Sequence, residues 1–166
     1  MLFRSAPSQQ STLNVNDIDL GSAGAVILPD TVASPAHPHL ALATGKIGML
    51  YLLDQTNLGQ YHPGGDQVVQ EVPVQFNTTN LDGGIFGSVA YWNGNIYVAE
   101  VGDALRQFTI ANGALSTSSV SSSSNTFPLR GAIPVVSASG TSGGVVWVLD
   151  LTGWQSGQVL LTSETN

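Results

Sequence analysis

The chain has 166 residues, of which 42% are hydrophobic and only 9% charged, with four basic residues against eleven acidic ones and a formal net charge of −7. That balance excludes the basic face that nucleic-acid binding requires and disfavours an anionic membrane surface as a partner. The absence of cysteine excludes disulfide frameworks, cysteine–zinc sites, iron–sulfur clusters and thiol nucleophiles.

A chain of this length forms one domain and buries roughly two thirds of the surface that its unfolded form exposes. No apolar run approaches the ~18 residues of a membrane-spanning helix. The opening Met1-Leu2-Phe3-Arg4-Ser5-Ala6-Pro7 lacks the apolar segment of a signal peptide, so the chain as written is expected to stay where it is made.

Residues 1–15 form an N-terminal arm without a strand pattern. Beyond it, helical spacing is poor, because Gly, Pro, Ser or Thr interrupt almost every window. Short apolar or alternating runs predict strands at 25–28, 40–44, 49–53, 68–74, 88–92, 96–101, 105–110, 133–138 and 145–150. Asn93-Gly94-Asn95 reads as a tight hairpin turn, since Asn and Gly tolerate positive φ. Residues 140–144 form a looser hairpin loop. The serine-rich 116–124 reads as a solvated loop or edge strand. The tail, 151–166, offers one weak strand at 158–162.

Three segments share a glycine, a small residue and then an apolar strand. They are Gly21-Ser22-Ala23-Gly24-Ala25-Val26-Ile27-Leu28, Gly87-Ser88-Val89-Ala90-Tyr91-Trp92 and Gly131-Ala132-Ile133-Pro134-Val135-Val136-Ser137. Each precedes a second strand, and the first two continue to a third. A four-stranded antiparallel unit recurring at roughly 45–60 residues is the pattern of propeller blades. The expected fold is all-β, a partial β-propeller of about two and a half blades. Blade 1 covers 16–82, blade 2 covers 83–126, half of blade 3 covers 127–150 and the tail 151–166. Gly21, Gly87 and Gly131 are expected at matching places near the axis, where bulky side chains do not all fit.

The stretch Gly45-Lys46-Ile47-Gly48-Met49-Leu50-Tyr51-Leu52-Leu53-Asp54-Gln55-Thr56-Asn57-Leu58-Gly59 resembles the K-x-G-x-x-Y-x-L-D-R-x-x-G repeat of the PQQ-like β-propellers. That family includes quinoprotein alcohol dehydrogenases and outer-membrane assembly scaffolds. Residues 16–150 resemble more closely a group of large bacterial proteins with PQQ-like repeats, through Asn16-Asp17-Ile18-Asp19-Leu20-Gly21-Ser22, His37-Pro38-His39-Leu40, Gly83-Gly84-Ile85-Phe86-Gly87, Ala90-Tyr91-Trp92-Asn93-Gly94 and Val146-Trp147-Val148-Leu149-Asp150. The resemblance implies a fragment of a longer propeller, and the resembling proteins are usually exported. A closed propeller takes about 4–8 blades, and an open fragment leaves strand edges that recruit partners. The chain is therefore expected to bind itself in a cyclic homo-oligomer, two copies giving about five blades and three about seven or eight.

Candidate site residues follow from the superposed repeats. Asp17 and Asp19 precede the first inner strand, and Asp19, Ile85, Phe86 and Arg130 fall at one mouth of the axial channel, where a carboxylate near a guanidinium suits an oxyanion or a metal-bound ligand. The two aspartates equally suit turn capping. His37 and His39, taken as strand residues i and i+2, share a face and could reach one divalent metal such as zinc, although no third ligand has diagnostic spacing. The alternative is a structural turn. Glu100 and Asp103 flank a turn and, with carbonyls, suit calcium, or else form a solvated hairpin. Ser22 and Ser88 recur in the repeats, which favours packing over nucleophilic attack.

Lys46 matches the basic residue of the family repeat, which contacts the quinone in one blade of the dehydrogenases, and with Phe86 it is a candidate ligand contact. The adjacent cysteines and the calcium-binding set of those enzymes are missing, and Gln55 stands where the repeat has Arg. PQQ and quinone-dependent oxidation are therefore not expected. Two functions follow. The first is a self-associating binding or scaffold module. The alternative is a metal-assisted hydrolase of esters, lactones or phosphotriesters, using Asp17, Asp19, His37, His39 and Arg130 on a small-molecule substrate.

Overall fold

Short amphipathic runs separated by turn residues can satisfy their backbone groups only by pairing with neighbours. The computed structural model, which describes residues 4–74, 84–128, 130–153 and 160–165, pairs them as successive antiparallel meanders. The arm contributes β1 (Ser5–Ala6) and a short helix, α1 (Gln10–Val15). Then come β2 (Val26–Ile27), β3 (Leu40–Ala43), β4 (Met49–Asp54), β5 (Gln60–Tyr61) and β6 (Gln70–Pro73). Strands β2-β3-β4-β6 form the first sheet in that order, while β5 leaves it to pair in parallel with β1.

The second sheet takes β7 (Ala90–Trp92), β8 (Asn95–Ala99) and β9 (Asp103–Ala111) in sequence. The long β9 then carries both β10 (Ala114–Leu115) and β11 (Ser121–Phe127) along one edge. The third sheet is β12 (Val135–Ser139), β13 (Ser142–Asp150) and β14 (Leu160–Thr165). The protein is thus all-β with several antiparallel sheets, none of them closed on itself.

Tight turns set two of the registers. Asn93 and Gly94 both have positive φ (46° and 79°), as do Asn112 and Gly113 (51° and 78°), the pairing that two-residue hairpins need to match strand twist. The serine-rich segment is a strand from Ser121 onward, at the sheet edge. The tail supplies more than a weak strand: β14 pairs with β13 from Asp150↔Leu160 to Val145↔Thr165. The expected half unit at 127–150 is therefore part of a three-stranded sheet. Residues 158 and 159 of the expected tail strand lie outside the described residues.

The sheets stack face to face. From the first sheet, Leu40, Leu42, Leu50, Leu52 and Val72 meet Ile96, Val98, Phe108 and Ile110 of the second. On the opposite face of the second sheet, Tyr97, Ala99 and Leu105 meet Ala132, Val146 and Val148 beside the third. The second sheet is covered on both sides. This is why Ile96-Tyr97-Val98-Ala99 is buried without a break rather than alternating apolar and polar.

Glycines let these layers approach, though not at the places expected. A Cβ on Gly21 would meet nothing, Gly87 lies against the Ile133 side chain, and Gly131, at φ 65°, lies against the Ala99 carbonyl. These are three different surroundings. Successive inner segments instead touch through Gly24 on Ser88 and Gly87 on Ile133, while Gly144 lies beneath the Trp92 ring, 2.5 Å from where its Cβ would stand. The Trp92 Nε1–H donates to the Gly140 carbonyl (3.0 Å) across the same seam. Phe108→Ala, which empties the centre of the larger core, is expected to cost about 3–5 kcal/mol. Gly144→Val is expected to destabilise by pushing a branched side chain into the Trp92 ring. Urea unfolding curves of both variants check this.

Candidate functional site

The segment that leads into each sheet is held by backbone hydrogen bonds along one edge of the sheets. The Lys46 N–H donates to the Asp19 carbonyl (2.9 Å), Ile85 N–H to Gly45 (3.1 Å) and Val101 N–H to Gly84 (3.0 Å). An isolated bridge joins Ala99 to Ala132. Gly84 is required here, at φ 112° with its α-carbon against the Lys46 backbone. The Ser22 hydroxyl donates to the Ile85 carbonyl (2.7 Å), so it packs the repeat rather than presenting a nucleophile.

These contacts bring Asp17, Asp19, Phe86 and Arg130 into one row with Lys46, whereas Ile85, expected beside them, is buried in the larger core. The Lys46 ammonium lies 2.6 Å from Asp19 Oδ2 and 3.3 Å from Asp17 Oδ2, and donates to the Asp17 carbonyl (2.8 Å). The hydrogen bond it donates to Asp19 raises the Lys46 pKa, with Asp17 adding to it against partial desolvation. The same ammonium is 6.0 Å from the Phe86 ring centroid, and the Arg130 guanidinium is 5.3 Å from it, both at cation–π range. Arg130 sits at φ 60°, is exposed, and among the described residues has no carboxylate within ion-pair distance. Two clefts adjoin the row. One of about 350 Å³ is lined by Phe86, Arg130, Ile133, Leu149 and Leu151. The other, about 580 Å³, lies between the arm and Asp17, Asp19, Leu20 and Ser22.

The two histidines do not converge. His37 Nδ1 is 2.8 Å from Asp54 Oδ2, and His39 Nδ1 is 2.9 Å from Asp30 Oδ1. The rule that i and i+2 share a face applies within a strand, and β3 begins only at Leu40. Residues 34–37 form a tight turn closed by a Ser34–His37 bridge. Asp54 also accepts from the Thr56 N–H (2.8 Å) and hydroxyl (2.6 Å). Burial opposes its ionisation, yet the Thr56 hydroxyl, His37 and the Thr56 N–H together lower its pKa to about 2.

Glu100 and Asp103 are both buried, so the turn is not the solvated hairpin of the alternative reading. Arg106 grips Asp103 with two nitrogens, Nη2 at 2.8 Å from Oδ1 and Nε on Oδ2, which leaves Asp103 little capacity for calcium. Glu100 Oε1 packs against Gly48, whose φ of 70° and missing side chain make room for it. Its Oε2 has no hydrogen-bond partner among the described residues. Burial, then the Asp103 charge, push its pKa up against the Gly84 N–H and Arg106. Among the described residues no group of three or more His, Asp or Glu is placed to hold a metal ion.

Sequence reasoning missed Arg106, Asp54 and Asp30 as partners of the predicted residues. The Asp54-x-Thr56 spacing was a usable signal for a capped turn.

No protein-family model, no curated protein and no solved structure matches the chain.

Two pH dependences follow. The folded state holds the Glu100 proton more tightly than the unfolded state, whose ordinary value is 4.5. Ionised Glu100 therefore destabilises above that pH and not below it. Glu100→Gln is expected to stabilise by on the order of 1 kcal/mol at pH 7 and to lose that gain at pH 4, read from denaturation at the two pH values. Asp54 has the opposite sign. Its contribution is full above its ordinary 3.8 and falls away as the pH drops toward about 2. Asp54→Asn is expected to lower the melting temperature at pH 7 and to flatten the acid limb of the stability curve.

Proposed function

We propose that the chain is a segment of a PQQ-like β-propeller that closes by self-association and serves as a binding or scaffold module. The observation that carries this is the outer face of the third sheet. Val135 is 60% exposed and Leu149 54%, with Ile133, Trp147 and Leu151 exposed beside them. Contiguous apolar surface of this kind marks an interaction site. The same sheet covers its other face with the second sheet, so a further sheet is the natural occupant of the open one.

The stacking of three antiparallel meanders supports the reading, as does the PQQ-like repeat at residues 45–59. With the three antiparallel sheets of the described residues as blades, two copies make a six-bladed ring, within the range of ~4–8 that closed propellers adopt. The row from Asp17 and Asp19 through Lys46 and Phe86 to Arg130 would then line the mouth of the axial channel and take small anionic or amphipathic molecules. For metal-assisted hydrolysis, the alternative, Asp17 or Asp19 would have to leave Lys46.

Light scattering in dilute solution is expected to give twice 17.2 kDa or a higher multiple. A clean 17.2 kDa species overturns the proposal. Trp147→Glu together with Val135→Asp is expected to shift the mass to that of the single chain. Hydrolysis of an activated ester or phosphotriester that disappears with chelator and in Asp19→Ala would favour the enzyme reading.

A further inference from the structure

We infer that copies join head to tail, with Arg130 and the outer face of the third sheet of one copy seated in the Asp17–Asp19 cleft of the next. This rests on the self-association reading and names the two surfaces that would meet.

The geometry comes from the step between successive sheets. The segment leading into the first sheet lies beside that leading into the second, with the Ser22 hydroxyl on the Ile85 carbonyl (2.7 Å). The second lies beside the third, with Arg130 against the Phe86 ring (5.3 Å) and Gly87 against Ile133. The series ends at Arg130 on one side and at Asp17 and Asp19 on the other. One more step of the same kind carries the 17–22 segment of another copy to Arg130.

The charges left at the two ends are complementary. Asp17 and Asp19 share the Lys46 ammonium, so among the described residues one negative charge is left over there. Their side chains are 90% and 57% exposed. Arg130 is exposed and lacks a carboxylate among the described residues. In a chain of formal charge −7, copies repel one another in general, so a cation aimed at a carboxylate pair selects one orientation. The apolar parts also match. Ile133, Trp147 and Leu149 are exposed on one side, and the half-buried Ile18 and Leu20 line the cleft on the other. The two surfaces lie at opposite ends of the stack, so the contact is heterologous, and a ring closes when the rotation per copy allows.

The test is a charge swap followed by sedimentation at several concentrations. Arg130→Glu and Asp19→Lys are each expected to weaken self-association at least about tenfold, because each sets like charges against one another. An equimolar mixture of the two variants is expected to recover the wild-type mass, since both contacts in the mixed ring again pair opposite charges. Circular dichroism verifies folding. If either variant fails to fold, Arg130→Gln and Asp17→Asn replace them, each expected to weaken association less than a reversal.

Wild-type protein that sediments as a single chain overturns self-association itself. Wild-type association that neither variant weakens, with no gain on mixing, leaves self-association standing and overturns this contact. Arg130-dependent binding of octanoate that leaves the wild-type mass unchanged also overturns it, and makes the Arg130 cleft a small-ligand site.

Discussion

An antiparallel meander has two faces, and an apolar face must be covered. This constraint organises the molecule. The second sheet satisfies it on both sides, through Ile96, Val98 and Phe108 toward the first sheet and Tyr97, Ala99 and Leu105 toward the third. The outer sheets satisfy it on one side. At the amino-terminal end the arm supplies a partial cover, with Pro7 and Leu20 lining a cleft against Ala43, Tyr51 and Leu53. At the carboxy-terminal end the outward residues of β13, Trp147 and Leu149, are exposed. The asymmetry between the two ends, one clothed and acidic, the other bare and carrying Arg130, gives the stack a direction.

Much of this architecture was legible because it depends on local chemistry. The hairpins at Asn93-Gly94 and Asn112-Gly113 need positive φ, and few other residue pairs supply it. The strands flanking them follow from apolar runs between turn residues. What escaped was non-local. The β14 strand carries a weak pattern of its own and is fixed by six paired residues along β13. The parallel pair of β1 and β5 joins residues more than fifty positions apart, and nothing in either dipeptide announces it. The glycines mark another boundary of inference. Gly87 and Gly24 do admit a neighbouring segment, but Gly21 does not, since a shared motif fixes composition and leaves the contact to the packing.

The site divides along the same line. Superposing the repeats brought Asp19, Phe86 and Arg130 to one end of the sheets, and they lie together there with Lys46 between them. What sets them side by side is repetition, a rule that converts sequence position into spatial position. The histidines failed it because their reading assumed a strand where the chain makes a turn, and each imidazole took the nearest carboxylate instead. Glu100 and Asp103 had the right residue types for a hard cation. Arg106, three positions along the same strand, already occupies the second of them.

One rim of the second sheet has a consequence of its own. Strand β11 is built from Ser121-Ser122-Ser123-Ser124-Asn125-Thr126 before it reaches Phe127, and its register on β9 slips between Ser122 and Thr126. Short hydroxylated side chains give a laterally approaching strand no dry surface to clasp, and the slip bends the ladder away from the straight template that fibril growth requires. A protein with so few charges would otherwise be prone to endless edge-wise accretion. The serine tract turns that route aside, so the rim of the second sheet stays a boundary of the fold rather than a place for another strand to add.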